Sequence, residues 1–267
     1  MKQKHDTLTV RISLFAYFLA FLVRGTFWRD TYRRLKRLVQ PGDFLLDIGA
    51  LDAPYTRFLH NRAIAIDVAQ TRRFGFSPAI KAKIESSPNV IPVISSAEAL
   101  PFQNDVFDKI VCTEVIEHIS CDDIAVREMA RVLDSNGMAF ITTPNGEKVP
   151  LERGLDEHIR HYTEQDLLAL FMKHFEFVSV ERRFHFLNVL YLQFRAYDKW
   201  VAARNPISKL AFGLVQISVA WLYDMTYLLE RVLRLEGYYN LCLIARRPKR
   251  SAEPDGRAPP PVESDIS

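Results

Sequence analysis

From residue 44 onward the chain alternates short, nearly continuous apolar runs with longer stretches in which apolar residues recur at helical spacing. Runs at 44–50 (FLLDIGA), 63–69, 90–95, 107–115 and 138–143 have the length and composition of strands buried on both faces. Two further strand-like runs fall at 175–183 and 239–246. Helices are predicted between them. At 122–133, Ile124, Met129 and Val132 share a stripe, and Asn136-Gly137 supplies a stop. At 163–171 the helix opens on a capping box, with Thr163 accepting from the backbone at Asp166 and Asp166 reaching back. Strands that alternate with helices predict an α/β fold with a mostly parallel sheet covered on both faces.

The pattern breaks in three places. Residues 12–23 (ISLFAYFLAFLV) are uncharged and bounded by Arg11 and Arg24, too short for the roughly 20 residues of a membrane span. An interfacial helix and a helix docked on its own domain are the two readings left open. Between the last two strands, residues 184–237 far exceed a hairpin loop. This insertion contains the apolar stretches 186–194 and 210–223, and a helix apolar all round is buried in protein or lies in lipid. The tail beyond Pro248 is rich in Pro, Ser, Ala and charge and is expected to be disordered. The predicted organisation is therefore 1–40 apolar and basic N-terminal helices, 41–183 core, 184–237 insertion acting as lid or membrane contact, 238–248 last core strand, and 249–267 tail.

Charge and cysteine content narrow the function classes. A formal net charge of +3 over 267 residues argues against a nucleic-acid partner. Six basic residues between Arg24 and Arg37, against the single acid Asp30, directly follow the first apolar stretch and favour contact with anionic lipid. Cys112, Cys121 and Cys242 have no C-x-x-C spacing and read as core packing, which suits a reducing, cytoplasmic compartment. The expected location is cytoplasmic, peripheral on the inner face of the membrane.

The first strand ends in Asp47 and then Gly49-Ala50; the second ends in Asp67, the spacing that brings a carboxylate to a ribose hydroxyl. A dinucleotide or S-adenosylmethionine (SAM) would suit that layout. The G-x-G-x-x-G pattern that accommodates a diphosphate is absent, which disfavours a nicotinamide dehydrogenase. SAM carries no phosphate, and its ammonium could be held by an acid such as Asp47.

Together with these residues, Ser96-Ala97-Glu98-Ala99-Leu100-Pro101-Phe102 followed by Phe107-Asp108, and Glu114-Val115-Ile116-Glu117-His118, resemble the motifs of class I SAM-dependent methyltransferases of the quinone and sterol type. The resemblance covers about residues 43–183 plus the last strand. It implies a Rossmann-like, doubly wound, seven-stranded sheet with an antiparallel last strand. It implies that Asp47, Gly49 and Ala50 cradle the methionine part, that Asp67 and Val68 meet the ribose, that Ser96, Ala97 and Glu98 flank adenine, and that Glu114 lines the pocket with His118 near the reacting methyl. Leu51 and Ala53 stand where the family has glycines, and Ser96 where it commonly has Asp.

Asp156-Glu157-His158-Ile159-Arg160-His161-Tyr162 follows the fifth strand on the same rim and suggests an acceptor site. His158 or His161 has the ordinary pKa of a general base for an alcohol or phenol, or else pins the loop. The H-x-x-H spacing finds no acid-rich set nearby in sequence, so no metal is expected. The function expected is methyl transfer to a hydrophobic or lipid-linked small-molecule acceptor. A catalytically degenerate fold serving as a membrane-tethered scaffold or regulatory partner is the alternative, and oligomeric state is not legible.

Overall fold

The computed structural model describes residues 26–69, 75–147, 158–183 and 240–249, together with Met225, Leu228, Leu229, Val232 and Leu233. The apolar stretches predicted at 12–23, 186–194 and 210–223, and the tail beyond Lys249, lie outside the described residues. Among the described residues no helix is long and apolar enough to cross a membrane.

Seven strands form one sheet: β1 (Leu45–Ile48), β2 (Ala63–Asp67), β3 (Val90–Ile94), β4 (Phe107–Thr113), β5 (Leu133–Pro144), β6 (Phe175–Arg183) and β7 (Asn240–Pro248). Their order is β3-β2-β1-β4-β5-β7-β6. The β1–β2, β1–β4, β2–β3 and β4–β5 pairs are parallel, and β7 runs antiparallel to both β5 and β6. The strand order reverses between β1 and β4, the point at which open α/β sheets receive ligands beyond their carboxyl ends.

Alternate residues of the central strands feed different cores because successive side chains point to opposite faces. Leu46, Ile48, Ile110, Cys112, Ala139, Ile141, Leu241 and Leu243 join Val126 and Met129 of α4 (Asp122–Val132) and Leu167 and Phe171 of α5 (Glu164–Met172). On the other face Val111, Phe140 and Cys242 meet Trp28, Tyr32 and Leu35 of α1 (Thr26–Leu38). Leu45, Ala63 and Ala65 pack there with Ile84 of α3 (Pro78–Glu85). A four-residue helix, α2 (Thr56–Leu59), follows the turn after β1.

Helix α1 is also tied by charge. Arg34 makes paired hydrogen bonds to Glu181 on β6 at 2.5 and 2.9 Å, and Arg183 reaches Asp30 at 2.7 Å and Thr31 Oγ1 at 2.9 Å. Of the six basic residues counted toward a lipid-facing cluster, Arg29 is buried and Arg34 is committed to Asp30 and Glu181. The cluster is thus smaller at the surface than its sequence suggests.

The capping box at α5 forms as expected, the Thr163 hydroxyl accepting from the Asp166 amide at 3.1 Å. The stop of α4 does not. That helix ends at Val132, and Leu133 already pairs with Phe107 in β5; the next pair is Lys109 with Met138. Asn136-Gly137 belongs to the irregularity between those pairs. The Asp134 carboxylate accepts from the Asn136 amide at 2.8 Å, and a Cβ on Gly137 would stand 2.5 Å from the Leu133 side chain. The glycine leaves room for the Leu133 side chain at this irregularity rather than ending the helix. Cys112 and Cys242 are buried, Cys121 is exposed, and all three thiols are free.

Candidate active site

A cleft of about 410 Å³ opens beyond the carboxyl ends of β1, β2 and β4, lined by Gly49, Leu51, Asp67, Val68, Ser95, Ser96, Ala97, Glu98, Glu114, Val115 and His118, among others. Its volume is in the range of small-molecule and cofactor sites. Two stretches of chain meet at its lip. The backbone amide of Leu51 donates to Asp67 Oδ2 at 2.9 Å, and that of Val68 donates to Asp67 Oδ1 at 2.8 Å. Each carboxylate oxygen keeps a second lone pair after these bonds, so Asp67 can still accept from a ligand. Burial raises its pKa, and the two amides work in the opposite direction.

The turn after β1 has an unusual backbone. Gly49 has φ +66°, a conformation natural to glycine, but Leu51 at 45° and Ala53 at 48° are also left-handed. Such a conformation costs a residue with a Cβ about 1 kcal/mol or more. The loop therefore keeps a glycine-like bend through residues that do not prefer it. Gly49 could not be exchanged, because a Cβ there would meet Val115 Cγ2 at 2.3 Å.

Beneath this loop, Asp47 is almost fully buried and accepts from Thr56 Oγ1 at 2.7 Å. It does not line the cleft, and neither does Ala50, whose amide donates to Ile66 O at 3.0 Å. The direct grip on an ammonium expected of Asp47 does not fit that position; its carboxylate braces the loop from below. Burial pushes its pKa up to about 7, with Thr56 opposing and the charges of Asp67 and Asp52 adding to the rise. The native state then binds more protons than the unfolded state between about pH 4 and 7, so stability falls as pH rises through that window. Asp47→Asn, which keeps an acceptor for Thr56, should remove that fall. Thermal melts should find the variant more stable than the parent at pH 8, by an amount on the order of a few kcal/mol, and equal to it near pH 4.

The other side of the cleft is built from turns. Ser96 Oγ accepts from the Glu98 amide at 3.1 Å, and Glu98 Oε1 accepts from the Cys121 amide at 2.7 Å just before α4. Glu98 thus joins two walls of the cleft rather than standing in solvent. Glu114 follows β4 with φ 56°, and its Oε1 accepts from Thr142 Oγ1 at 2.7 Å and from Asn240 Nδ2 at 2.8 Å. Burial raises its pKa against those two bonds.

A single 3-10 turn, Ile116–His118, carries the remaining groups. The Glu117 carbonyl accepts from the amides of Ile159 at 2.9 Å and Arg160 at 3.4 Å, which draws the loop after β5 onto the turn. Tyr162 fixes the loop from its other end, its hydroxyl donating to Asp122 Oδ2 at 2.7 Å. Three imidazoles line up as a result. The rings of His118 and His158 lie 4.6 Å apart, and His158 Nδ1 is 2.6 Å from His161 Nε2.

Residues 46–141 match the family model described as "Methyltransferase domain". The match spans β1 to β5. An uncharacterized protein of Methanocaldococcus jannaschii is 31% identical over 127 residues, 46% of either chain. An uncharacterized methyltransferase of Bacillus subtilis is 39% identical over 66 residues, 25% of either chain. The chain thus matches less than half the length of these curated relatives. Among solved structures, phosphoethanolamine N-methyltransferase 2 of Haemonchus contortus, in complex with phosphomonomethylethanolamine and S-adenosylhomocysteine, has a TM-score of 0.58 at 18% identity, covering 88% of this chain and 57% of that one. That likeness is one of fold.

In the folded chain, Gly49, Asp67, Val68, Ser96, Ala97, Glu98, Glu114 and His118 come together in the wall of one cleft, while His158 and His161 stand behind His118. Sequence reasoning passed over Ser95, Val115 and Glu117. Val115 carried a usable signal, since it lies inside the Glu114 to His118 motif. Glu117 is fully buried, and Thr143 Oγ1 donates to its Oε2 at 3.0 Å. Burial first, and then the charge of Glu114, push its pKa well above the ordinary carboxylate range.

Proposed function

We propose that the domain transfers a methyl group from SAM to a hydrophobic or lipid-linked small-molecule acceptor. The observation that carries the reading is Asp67, anchored by the Leu51 and Val68 amides at the lip of the cleft with acceptor capacity left over for ribose hydroxyls. Gly49 lets the loop approach a ligand closely, the Ser95 to Ala97 segment offers a wall for adenine, and Glu114 and His118 face the reacting end. SAM would supply a methyl group activated on a sulfonium. The chain's own work is alignment, which makes the transfer effectively unimolecular, together with proton removal where the acceptor is a hydroxyl. The imidazoles of His118, His158 and His161 are suited to take that proton.

The nature of the acceptor is inferred from apolar surface. Helical Met225, Leu228, Leu229 and Val232 follow the spacing of one helix face and are all more than half exposed. They continue the apolar composition of residues 210–223, and with residues 12–23 they favour a peripheral contact with the inner face of a membrane. The scaffold reading rests on Leu51 and Ala53, and the left-handed backbone at both argues against it, because the loop's bend survives their side chains.

Calorimetric titration with SAM and with S-adenosylhomocysteine tests the reading. Saturable binding of both at micromolar concentration is expected, and absence of heat at millimolar ligand would sink it. Flotation with anionic vesicles, comparing the full chain with a variant lacking residues 1–24, tests the membrane contact; equal flotation of the two rejects a part for that segment.

A further inference from the structure

We infer that Glu117, His118 and His158 form a binding site for a first-row divalent metal ion behind the His118 wall of the cleft. One ligand atom from each residue lies within 4.8 Å of the other two, the one such cluster among the described residues. Ligand atoms around a four- or six-coordinate ion at about 2.1 Å stand about 3 to 4 Å apart. About an ångström of side-chain movement therefore closes the set.

The second observation concerns Glu117 by itself. The side chain is 0% exposed; one oxygen accepts from Thr143, and Oε1 has no hydrogen-bond partner among the described residues. No Lys or Arg among the described residues pairs with it, and its electrostatic neighbour is a second acid, Glu114. A buried carboxyl with an idle oxygen beside another carboxyl is costly to hold. A cation between the idle carboxyl and two imidazoles removes that cost.

The surroundings are those of a metal site. Metal-binding imidazoles usually engage their second nitrogen with a partner that orients the ring, and His161 is in position to do this for His158 at 2.6 Å. The turn that carries Glu117 and His118 is held to the loop that carries His158 by backbone hydrogen bonds from Ile159 and Arg160. Two imidazoles and one carboxylate favour ions from Mn(II) to Zn(II) over Mg(II), which prefers oxygen and water. Three protein ligands leave coordination positions open, as in catalytic rather than structural sites. Because His118 also lines the cleft, the ion would sit next to the space of the methyl donor proposed above. A hydroxyl or phosphate oxygen of an acceptor could fill one of the open positions.

The inference stands on the side-chain cluster and does not depend on methyl transfer. The full chain, stripped with chelator, is titrated calorimetrically with MnCl2, CoCl2 and ZnCl2, and Co(II) loading is followed by visible absorption. One equivalent of metal at micromolar affinity is expected, with Co(II) bands of a nitrogen- and oxygen-ligated ion. Glu117→Gln and His158→Ala should each weaken binding by about 10- to 100-fold or more. Melting of the metal-free Glu117→Gln protein at or above the parental temperature establishes that the loss is not unfolding, since a neutral amide is easier to bury. Absence of binding to the parent at millimolar metal, equal binding to the parent and Glu117→Gln, or Mg(II) competing at equal strength would each overturn the site. SAM is titrated separately, so failure of either ligand leaves the other reading standing.

Discussion

Replacement of Asp67 by Ala is expected to lower SAM affinity by about 100-fold or more, the largest single effect in the cleft. Charge-assisted hydrogen bonds to a buried carboxylate contribute about 1.5–3 kcal/mol each, and a ribose offers two hydroxyls. The same substitution strips the Leu51 and Val68 amides of their acceptor, so the lip of the cleft loosens as well as losing its ligand contact. Asp67→Asn separates the two effects. Its amide oxygen can serve one backbone amide, so most of the fold stability should return while SAM affinity stays low. Calorimetric titration with SAM, paired with urea melts of the same proteins, reads both quantities. Unchanged affinity in Asp67→Ala would mean that the ribose is not held at the end of β2.

Gly49→Ala is the second large effect, and it acts through packing. The new Cβ would stand 2.3 and 2.7 Å from the two methyl groups of Val115, and the residue would have to hold φ near +66°. The left-handed backbone costs about 1–2 kcal/mol and the overlap about 1–3 kcal/mol, so a stability loss of about 2–5 kcal/mol is expected. Val115→Ala in the same chain removes both offending methyl groups but leaves its own Cβ at 3.0 Å. The double variant should recover part of the loss, with a coupling energy of about 1 kcal/mol or more in urea unfolding. Strict additivity would show that the clash is relieved elsewhere and that the loop after β1 is softer than its geometry implies.

Strands were legible where the pattern depends on neighbours in sequence. The runs at 44–50, 63–69, 90–95 and 107–115 each contain the observed strand and overrun it by one to three residues, and among the residues past the strand ends Gly49, Val68, Ser95, Glu114 and Val115 wall the cleft instead of continuing the ladder. The end of α4 was placed within one residue, but not for the stop signal given, because Gly137 answers to the Leu133 side chain across the irregularity in β5.

At the site, Gly49, Asp67, Ser96 and Glu114 could be found because strand ends point where ligands sit. Asp47 shares a strand face with Leu45 and is engaged by Thr56, an arrangement the sequence alone does not record. Leu51 and Ala53 looked like losses of function by residue type alone, yet their backbone preserves the glycine-like turn. Glu117 lies inside the Glu114 to His118 motif but was given no role of its own from the sequence. Its burial depends on Thr143, 26 positions later, and on the 158–160 loop, contacts that no local pattern records.

The ion pair between Arg183 and Asp30 has a consequence for the traffic of the chain. That pair pins α1 and the end of β6 to one corner of the domain. Strand β7 begins at Asn240, which sits beside Arg183 in the β6–β7 register and lends its side-chain amide to Glu114 and to the carbonyl of Thr143. Residues 184–239 thus join two positions, Arg183 and Asn240, that are paired in the sheet. A pull on the chain at Asn240 would act first on the amide that steadies Glu114.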